Sequence, residues 1–361
     1  MSNSLGKLFT ITCFGESHGQ CVGVIVDGCP AGLPLSPVEI QKDVDLRRAG
    51  FSSASTSRRE KDKVEILSGV FNGRATGAPV CLLVKNEDVD ATAYAKIKNL
   101  LRPGHADFTA YIKYGGFNDW RGGGMFSGRI TAGFVMAGAV ARKILSTIGV
   151  ETLAHTVAIG DIIADVVPYK QVKQKARKDP LFCADAAASQ KMLAAINAIR
   201  KAGDSLGGVI EGVALNLPVG LGEPIFDTLD GDLAKALLAI PAVKGVEFGG
   251  GFAAEKGSEN NDPFAIKDGK IVTTTNKAGG ILGGISSGMP LVVRVAVKPA
   301  SSIALEQKTV DIYTLKETTI KVGGRHDACI VPRAVPVVSA MMAVVLCDFA
   351  MRAGLIARVL K

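Results

Sequence analysis

The sequence predicts an α+β fold with antiparallel sheets, and three observations lead there. Short apolar stretches come in neighbouring pairs joined by turn residues, as in LFTITCFGESHGQCVGVIVDG from Leu8 to Gly28. Helical patterns fall between these pairs irregularly, not in the strict alternation that builds a parallel sheet. Two long stretches, 129–145 and 333–352, are rich in small and apolar residues and read as helices inside a core.

The elements follow in order. Residues 8–13 and 21–27 read as strands around the FGESHG turn. SPVEIQKDVDLRR then opens a helix: Ser36 is the cap, Pro37 takes the first helical position, and Glu39 stands three residues after the cap. That helix ends near Arg48, before Gly50, and its basic last turn suits the negative end of the helix dipole. VEILSGVF and APVCLLVK are two further strands joined by NGRATG, and RITAGFVMAGAVARKIL is a helix able to pack closely. From about 165 to 185 the chain is polar, with KQVKQKARKDP as a solvated segment. Helices are expected at 186–202 and 231–240, and strands at 209–216 and 290–297. Arg333–Arg352 closes the chain as a core helix with Pro336 in its first turn, where proline is tolerated. No linker cuts the chain, so one domain spanning 1–361 is expected.

With 47% hydrophobic and 21% charged residues in 361, disorder is not the default. Lys and Arg number 42 against 34 Asp and Glu, a net +8 that favours anionic partners: phosphorylated metabolites, acidic cofactors or nucleic acid. The seven cysteines are scattered, odd in number and without a CxxC, as expected of reduced thiols in a cytosol. The start, MSNSLGKLFT, shows no signal peptide, and the apolar run from Ala334 to Cys347 is too short to span a bilayer. A soluble, cytoplasmic protein is expected.

Several standard sites are missing. There is no GxxxxGK[ST], and Gly249, Gly251 and Ala254 match a relaxed dinucleotide pattern only formally, because EKGSENNDP cannot open the required helix. Without HExxH or a Cys/His cluster, no catalytic metal is expected. Chemistry must therefore lie in separated pieces. FGESHG sets Glu16, Ser17 and His18 between glycines; RPGHAD and GGRHD each set a histidine beside arginine and aspartate, with Arg333 close behind the second. His155, in the apolar ETLAHTVAIG, reads as structural. A loop histidine held by hydrogen bonds is the ordinary reading of any one of the others, but three of four in one kind of setting point to a site. Arginine forks bind phosphate and carboxylate, histidine moves protons near neutral pH, and glycine-rich turns offer backbone N–H groups to anions. An enzyme acting on a small polyanion follows, and residue chemistry alone stops there.

FGESHG, RPGHADFT, DWRGGG, GDSLGG, AVKGVEFGGGF, NKAGGILGGISSG, VKPASSI and GGRHDACIVPRAVP, in this order from Phe14 to Pro336, closely resemble the chorismate synthase family. The resemblance implies a helical core between antiparallel sheets, a β-α-β sandwich, and a homotetramer. It implies a 1,4-anti elimination of phosphate from 5-enolpyruvylshikimate 3-phosphate, giving chorismate with reduced FMN as cofactor and no net redox change. Carried over by motif, His18 protonates the leaving phosphate with Ser17 beside the flavin, His105 stabilises or protonates the reduced flavin ring, and Asp327 works with flavin nitrogen 5. Ser127 is grouped with these catalytic residues. Flavin contacts carry over to Met125, Phe126 and Ser127, to Pro241 and Ala242, to Gly283, to Lys298, Pro299, Ala300, Ser301 and Ser302, and to Arg325. Arg47 corresponds to a position for NADPH or substrate, and Arg129 and Arg333 are additional anion contacts.

The chain departs from the family pattern in three ways. Met125 and Phe126 stand where many members have arginine and serine, Ser53 replaces a second arginine after Arg47, and Ala49 replaces a proline. Whether NADPH reduces the flavin on this chain or an external flavin reductase does so stays open. Two rival readings are a flavin oxidoreductase, which would consume reductant at every turnover, and a basic nucleic-acid-binding protein. One tryptophan, five tyrosines and no recognisable RNA or DNA module count against the latter.

Overall fold

Two five-stranded sheets, every pairing within them antiparallel, enclose a pair of long helices. The computed structural model describes residues 3–48, 60–253, 255–323 and 327–361. The first sheet holds β1 (Ser4–Leu5), β2 (Thr10–Gly15), β3 (Cys21–Asp27), β4 (Val64–Ser68) and β5 (Val80–Lys85) in the order β1-β2-β3-β5-β4. The second holds β6 (Glu151–Ile159), β7 (Ile162–Ile163), β8 (Gly208–Leu215), β9 (Val243–Phe248) and β10 (Leu291–Val297) in the order β9-β10-β8-β6-β7. The expected α+β sandwich is what forms.

The helices that matter for the site and core are α1 (Pro37–Arg47), α2 (Asp107–Lys113), α3 (Thr131–Ser146), α4 (Ala186–Ala202), α5 (Leu229–Leu238) and α6 (Val331–Arg352). α3 and α6 pack on each other to form the middle layer, α3 facing the first sheet and α6 the second. Small residues set these distances. A Cβ on Gly138 of α3 would stand 2.3 Å from the Ala340 Cβ of α6, and one on Gly212 of β8 would stand 2.4 Å from the Met342 sulfur. Large side chains there would force the layers apart, because interaxial distance follows the residues at the contact. α6 is long and apolar enough to cross a membrane, but 94% of its most apolar window is buried inside the protein. Each fully buried Val or Leu on it contributes about 1.5–3 kcal/mol relative to exposure. The helix also anchors the amino-terminal segment: Oδ1 of the buried Asp348 accepts from the backbone N–H groups of Lys7, Leu8 and Phe9 at 2.9, 2.6 and 2.9 Å.

Three local expectations change. The expected solvated segment is helical at Tyr169–Lys175, because Val172 and Ala176, one turn apart among lysines, are buried with Ala184. α6 begins at Val331 with Pro332 in its first turn, so Pro336 lies inside the helix and not at its start. At α1, Ser36 makes no side-chain bond to the backbone. Its hydroxyl donates to Glu39 Oε2 at 3.2 Å, while Glu39 Oε1 accepts from Lys143 of α3 and so ties the two helices together.

Candidate active site

The FGESHG turn joins β2 to β3, whose register runs from Thr10 opposite Asp27 to Gly15 opposite Val22. The Asn86 side-chain amide donates to the carbonyls of Glu16 and Gly19 at 2.9 and 2.8 Å, holding the turn at both ends. Beside it opens a cavity of about 1580 Å³, lined from this turn, residues 102–109, residues 122–131, the end of α5, residues 298–302 and the start of α6. Seven lysine and arginine side chains line it against four carboxylates, among the described residues. Such a wall attracts anions.

Three consecutive glycines bring two histidines to one turn. Gly122, Gly123 and Gly124 have φ of +59°, +84° and +53°, a left-handed run that other residues enter only with strain. Gly124 O accepts from the Ser17 N–H at 3.2 Å, docking this turn on FGESHG. A Cβ at Gly122 would meet Nδ1 of His18 at 2.2 Å, and one at Gly123 would meet Nε2 of His105 at 3.0 Å. The imidazole of His18 meets the Tyr94 ring edge-on, centroids 5.4 Å apart, and the Arg102 guanidinium lies over the same tyrosine. Ser17 lines the cavity, and its buried hydroxyl has no hydrogen-bond partner among the described residues.

His105 belongs to a second constellation. Its Nδ1 lies 2.7 Å from Asp107 Oδ1. The same Oδ1 accepts from Arg102 NH2 at 2.7 Å, and Oδ2 accepts from Arg102 Nε at 2.8 Å and from its backbone N–H at 3.0 Å. Burial by itself would raise the Asp107 carboxyl, but the bonds from His105 and Arg102 hold it well below the usual carboxylate range.

Two groups of cations complete the walls. Arg47 is buried and donates to Thr131 Oγ1 at 2.9 Å and to Gly128 O at 2.7 Å, while Asp62 lies between Arg47 and Arg129. Arg129 also donates to Asn86 Oδ1 and Lys85 O, and Arg333 donates to Asp327 Oδ2 at 2.6 Å. Burial first, then the neighbouring Arg333, pulls Arg47 below its ordinary value. In the second group, Lys298 Nζ donates to Gly104 O at 2.7 Å and to Ser301 Oγ at 3.0 Å. Burial, then the charge of Lys244, lowers the Lys298 ammonium from its ordinary value. The 298–302 segment is pinned by Ser205 Oγ donating to Ala300 O and by Lys298 N–H donating to Ala242 O.

The cavity thus collects Ser17, His105, Met125, Phe126, Ser127, Pro241, Ala242, the whole Lys298–Ser302 segment, Arg47, Arg129, Asp327 and Arg333. His18 is buried behind Gly122 and Ser17 and is not among the described lining residues. Neither is Gly283, which sits exposed in the turn between Ile281–Leu282 and Ile285–Ser286. Arg325, Ala49 and Ser53 lie outside the described residues. His155 is buried in β6, away from the cavity lining, with its Nε2 3.2 Å from Glu211 Oε1 on the adjacent strand. Phe126 packs at a tilt on Tyr114, ring centroids 6.3 Å apart, and Ser127 Oγ accepts from the Arg129 N–H.

Sequence reasoning assigned no role to Arg102, Asp107, Lys235 or Lys244, all of which lie in or beside the cavity. RPGHAD carried a signal for the first two, an arginine and an aspartate bracketing one histidine. The two lysines had none, since exposed lysines are common on any surface.

A sequence model described as chorismate synthase matches residues 9–351. A chorismate synthase of Dehalococcoides mccartyi is 59% identical over 363 aligned residues, covering 100% of each chain. One from Korarchaeum cryptofilum is 52% identical, covering 96% of this chain and 97% of its own. A crystal structure of chorismate synthase superposes with a TM-score of 0.77 at 33% identity, covering 96% of this chain and 93% of that one.

Proposed function

The chain belongs to the chorismate synthase family, and from that premise we propose how its cavity carries out the family's reaction. The protein is a carbon–oxygen lyase: it eliminates phosphate from 5-enolpyruvylshikimate 3-phosphate and forms chorismate, the final step of the shikimate pathway to aromatic amino acids. The carbon–oxygen bond to phosphate breaks and a proton leaves carbon 6, so atoms balance without net oxidation.

One observation supports this reading most: a single glycine turn packs against both His18 and His105 at the wall of a cavity rich in cations, with His105 lining it and His18 buried behind Gly122. Small-molecule pockets usually measure about 300–1,000 Å³. A volume of about 1580 Å³ gives room for a substrate and a flavin together. The Ser17 hydroxyl, which the described protein groups do not satisfy, and the Lys298–Ser301 pair fit a polar, phosphate-bearing cofactor. Reduced FMN, when bound, supplies electron density as phosphate departs. Met125 to Ser127, Pro241, Ala242 and Lys298 to Ser302, which line the cavity, would hold it. Arg47, Arg129 and Arg333 orient the anionic substrate through the forks that Asp62 and Asp327 keep in place.

His18 donates a proton to the leaving phosphate, while His105 and Asp327, the latter held by Arg333, are the proton-handling groups assigned to the flavin ring. Such positioned acid–base catalysis contributes about 10²–10⁴-fold. The working form is a cytoplasmic homotetramer. Its flavin is reduced either with NADPH on this chain or by an external flavin reductase.

An anaerobic assay with chemically reduced FMN and the enolpyruvyl substrate tests the reading. Chorismate and phosphate should appear in equal amounts, with no reductant consumed per turnover. Equal activity with oxidised FMN, or with none, would refute it. Sedimentation of a stable, active monomer would remove the tetramer.

A further inference from the structure

We propose that Asp107 is a positioning residue for His105 in the elimination reaction read above: it fixes the proton on Nδ1 and leaves Nε2 as the nitrogen that gains and loses one. An ionised carboxylate can only accept hydrogen bonds. The 2.7 Å contact between His105 Nδ1 and Asp107 Oδ1 therefore needs the ring proton on Nδ1. Arg102 Nη2, 3.2 Å from the same nitrogen, carries a second hydrogen, but donating it to a bare Nδ1 would leave two acceptors, Nδ1 and Oδ1, facing each other at 2.7 Å, so the shorter contact decides the tautomer.

Arg102 also explains why the carboxylate is where it is. Three donors from this one residue, Nε, NH2 and the backbone N–H, close both oxygens of Asp107 into a fork. Arg102 itself is buried, 6% exposed, and its guanidinium lies over Tyr94, which also meets the ring of His18. The imidazole of His105 is thus oriented by a group that cannot turn, with its Nε2 side against Gly123 and the residue facing the cavity. A plain Arg102–Asp107 ion pair would account for the fork alone. It would not require Nδ1 of His105 to share the same oxygen.

Full-length protein labelled with ¹⁵N at histidine reports the tautomer directly, without flavin or substrate. At about pH 8, above the ordinary imidazole range, His105 in the wild type should show a protonated Nδ1 and a bare Nε2. Asp107→Asn should move the proton to Nε2 in a large fraction of molecules. It should lower kcat by about 10²-fold or more, with KM little changed, as expected when a proton-transferring histidine loses its orienting carboxylate. Asp107→Glu keeps the charge that buried Arg102 needs, so it should fold, retain the Nδ1 proton and recover at least about tenfold of the lost kcat, a factor worth about 1.4 kcal/mol. A wild-type His105 protonated on Nε2, or an Asn variant that keeps both the Nδ1 proton and normal kcat, would overturn the assignment. If the Asn variant does not fold, a Glu variant with an Nε2 proton and normal kcat would overturn it equally. Absence of chorismate formation by the wild type would instead refute the lyase reading, and the substrate-free spectrum would still decide whether Asp107 sets the tautomer.

Discussion

The imidazole of His18 rests on the backbone of Gly122, where a Cβ would stand 2.2 Å from both Nδ1 and Cε1 and 2.9 Å from the Ser17 hydroxyl. Any side chain at 122 must push the histidine, the serine or the turn out of place. Gly122→Ala also forces a residue with φ +59° into the left-handed region, at about 1–2 kcal/mol. The expected result is a thermal midpoint a few degrees lower and turnover reduced by about 10²-fold. Gly73→Ala is the control: it has φ +73° with nothing within 4 Å of the new methyl. It should lose stability by a similar amount and keep normal turnover.

His18→Ala and His105→Ala should each lower turnover by at least about 10²-fold, the lower end of the general acid–base range. The folds should survive, because both residues sit in turns and not between the helical layers. Circular dichroism and steady-state assays on the two variants check this; normal turnover in both, with intact fold, would show the proton-transfer roles to be wrong.

Asp62 ties acid stability to the arginine wall. Burial would raise its carboxyl, but Arg47, Arg129 and Arg333 hold it below its ordinary value. A carboxyl depressed in the folded state contributes stability above its unfolded value of about 3.9, and that contribution is lost as pH falls below it. Asp62→Asn removes the effect and leaves Arg47 and Arg129 buried against a neutral amide, at about 3–5 kcal/mol near neutral pH. Denaturant unfolding measured at several pH values should show the gap between wild type and variant narrowing as pH drops below about 4. A gap independent of pH would mean that Asp62 contributes by shape and not by charge.

Met125→Arg with Phe126→Ser should tighten binding of oxidised FMN without abolishing chorismate formation. The double change restores a charged fork and a hydroxyl at the cavity wall, and charge-assisted bonds contribute about 1.5–3 kcal/mol each. The loss of the Phe126–Tyr114 packing works in the other direction. Calorimetric titration of both forms decides between them: unchanged or weaker affinity would assign the pair to packing and leave Ser127 and the backbone as the contacts of this segment.

Much of the local structure was legible in the order of residue types. The strand pair around FGESHG, the helix from Pro37 and the helix at Ala186–Ala202 follow from periodicity and turn chemistry, which act over a few residues. The burial of His155 in a strand was legible too, from its apolar neighbours. Eight motifs in sequence were enough to point to the family and, through it, to most of the cavity wall.

Other features depended on neighbours far along the chain. Periodicity says which face of a segment is buried but not what it meets. Hence Tyr169–Lys175 read as solvated until Val172 found its cover, and Pro336 read as a helix start until Val331 and Pro332 joined α6. Asp62 lies between Arg47 and Arg129, and Gly122 and Gly123 lie between His18 and His105, only because both sheets close on α3 and α6 and carry these loops to one edge. The sequence by itself determined the elements, the chemistry available and the family. The tertiary structure alone decided which charges neutralise one another and which histidine nitrogen faces a carboxylate, because those depend on distances of a few ångströms between residues that the chain holds far apart.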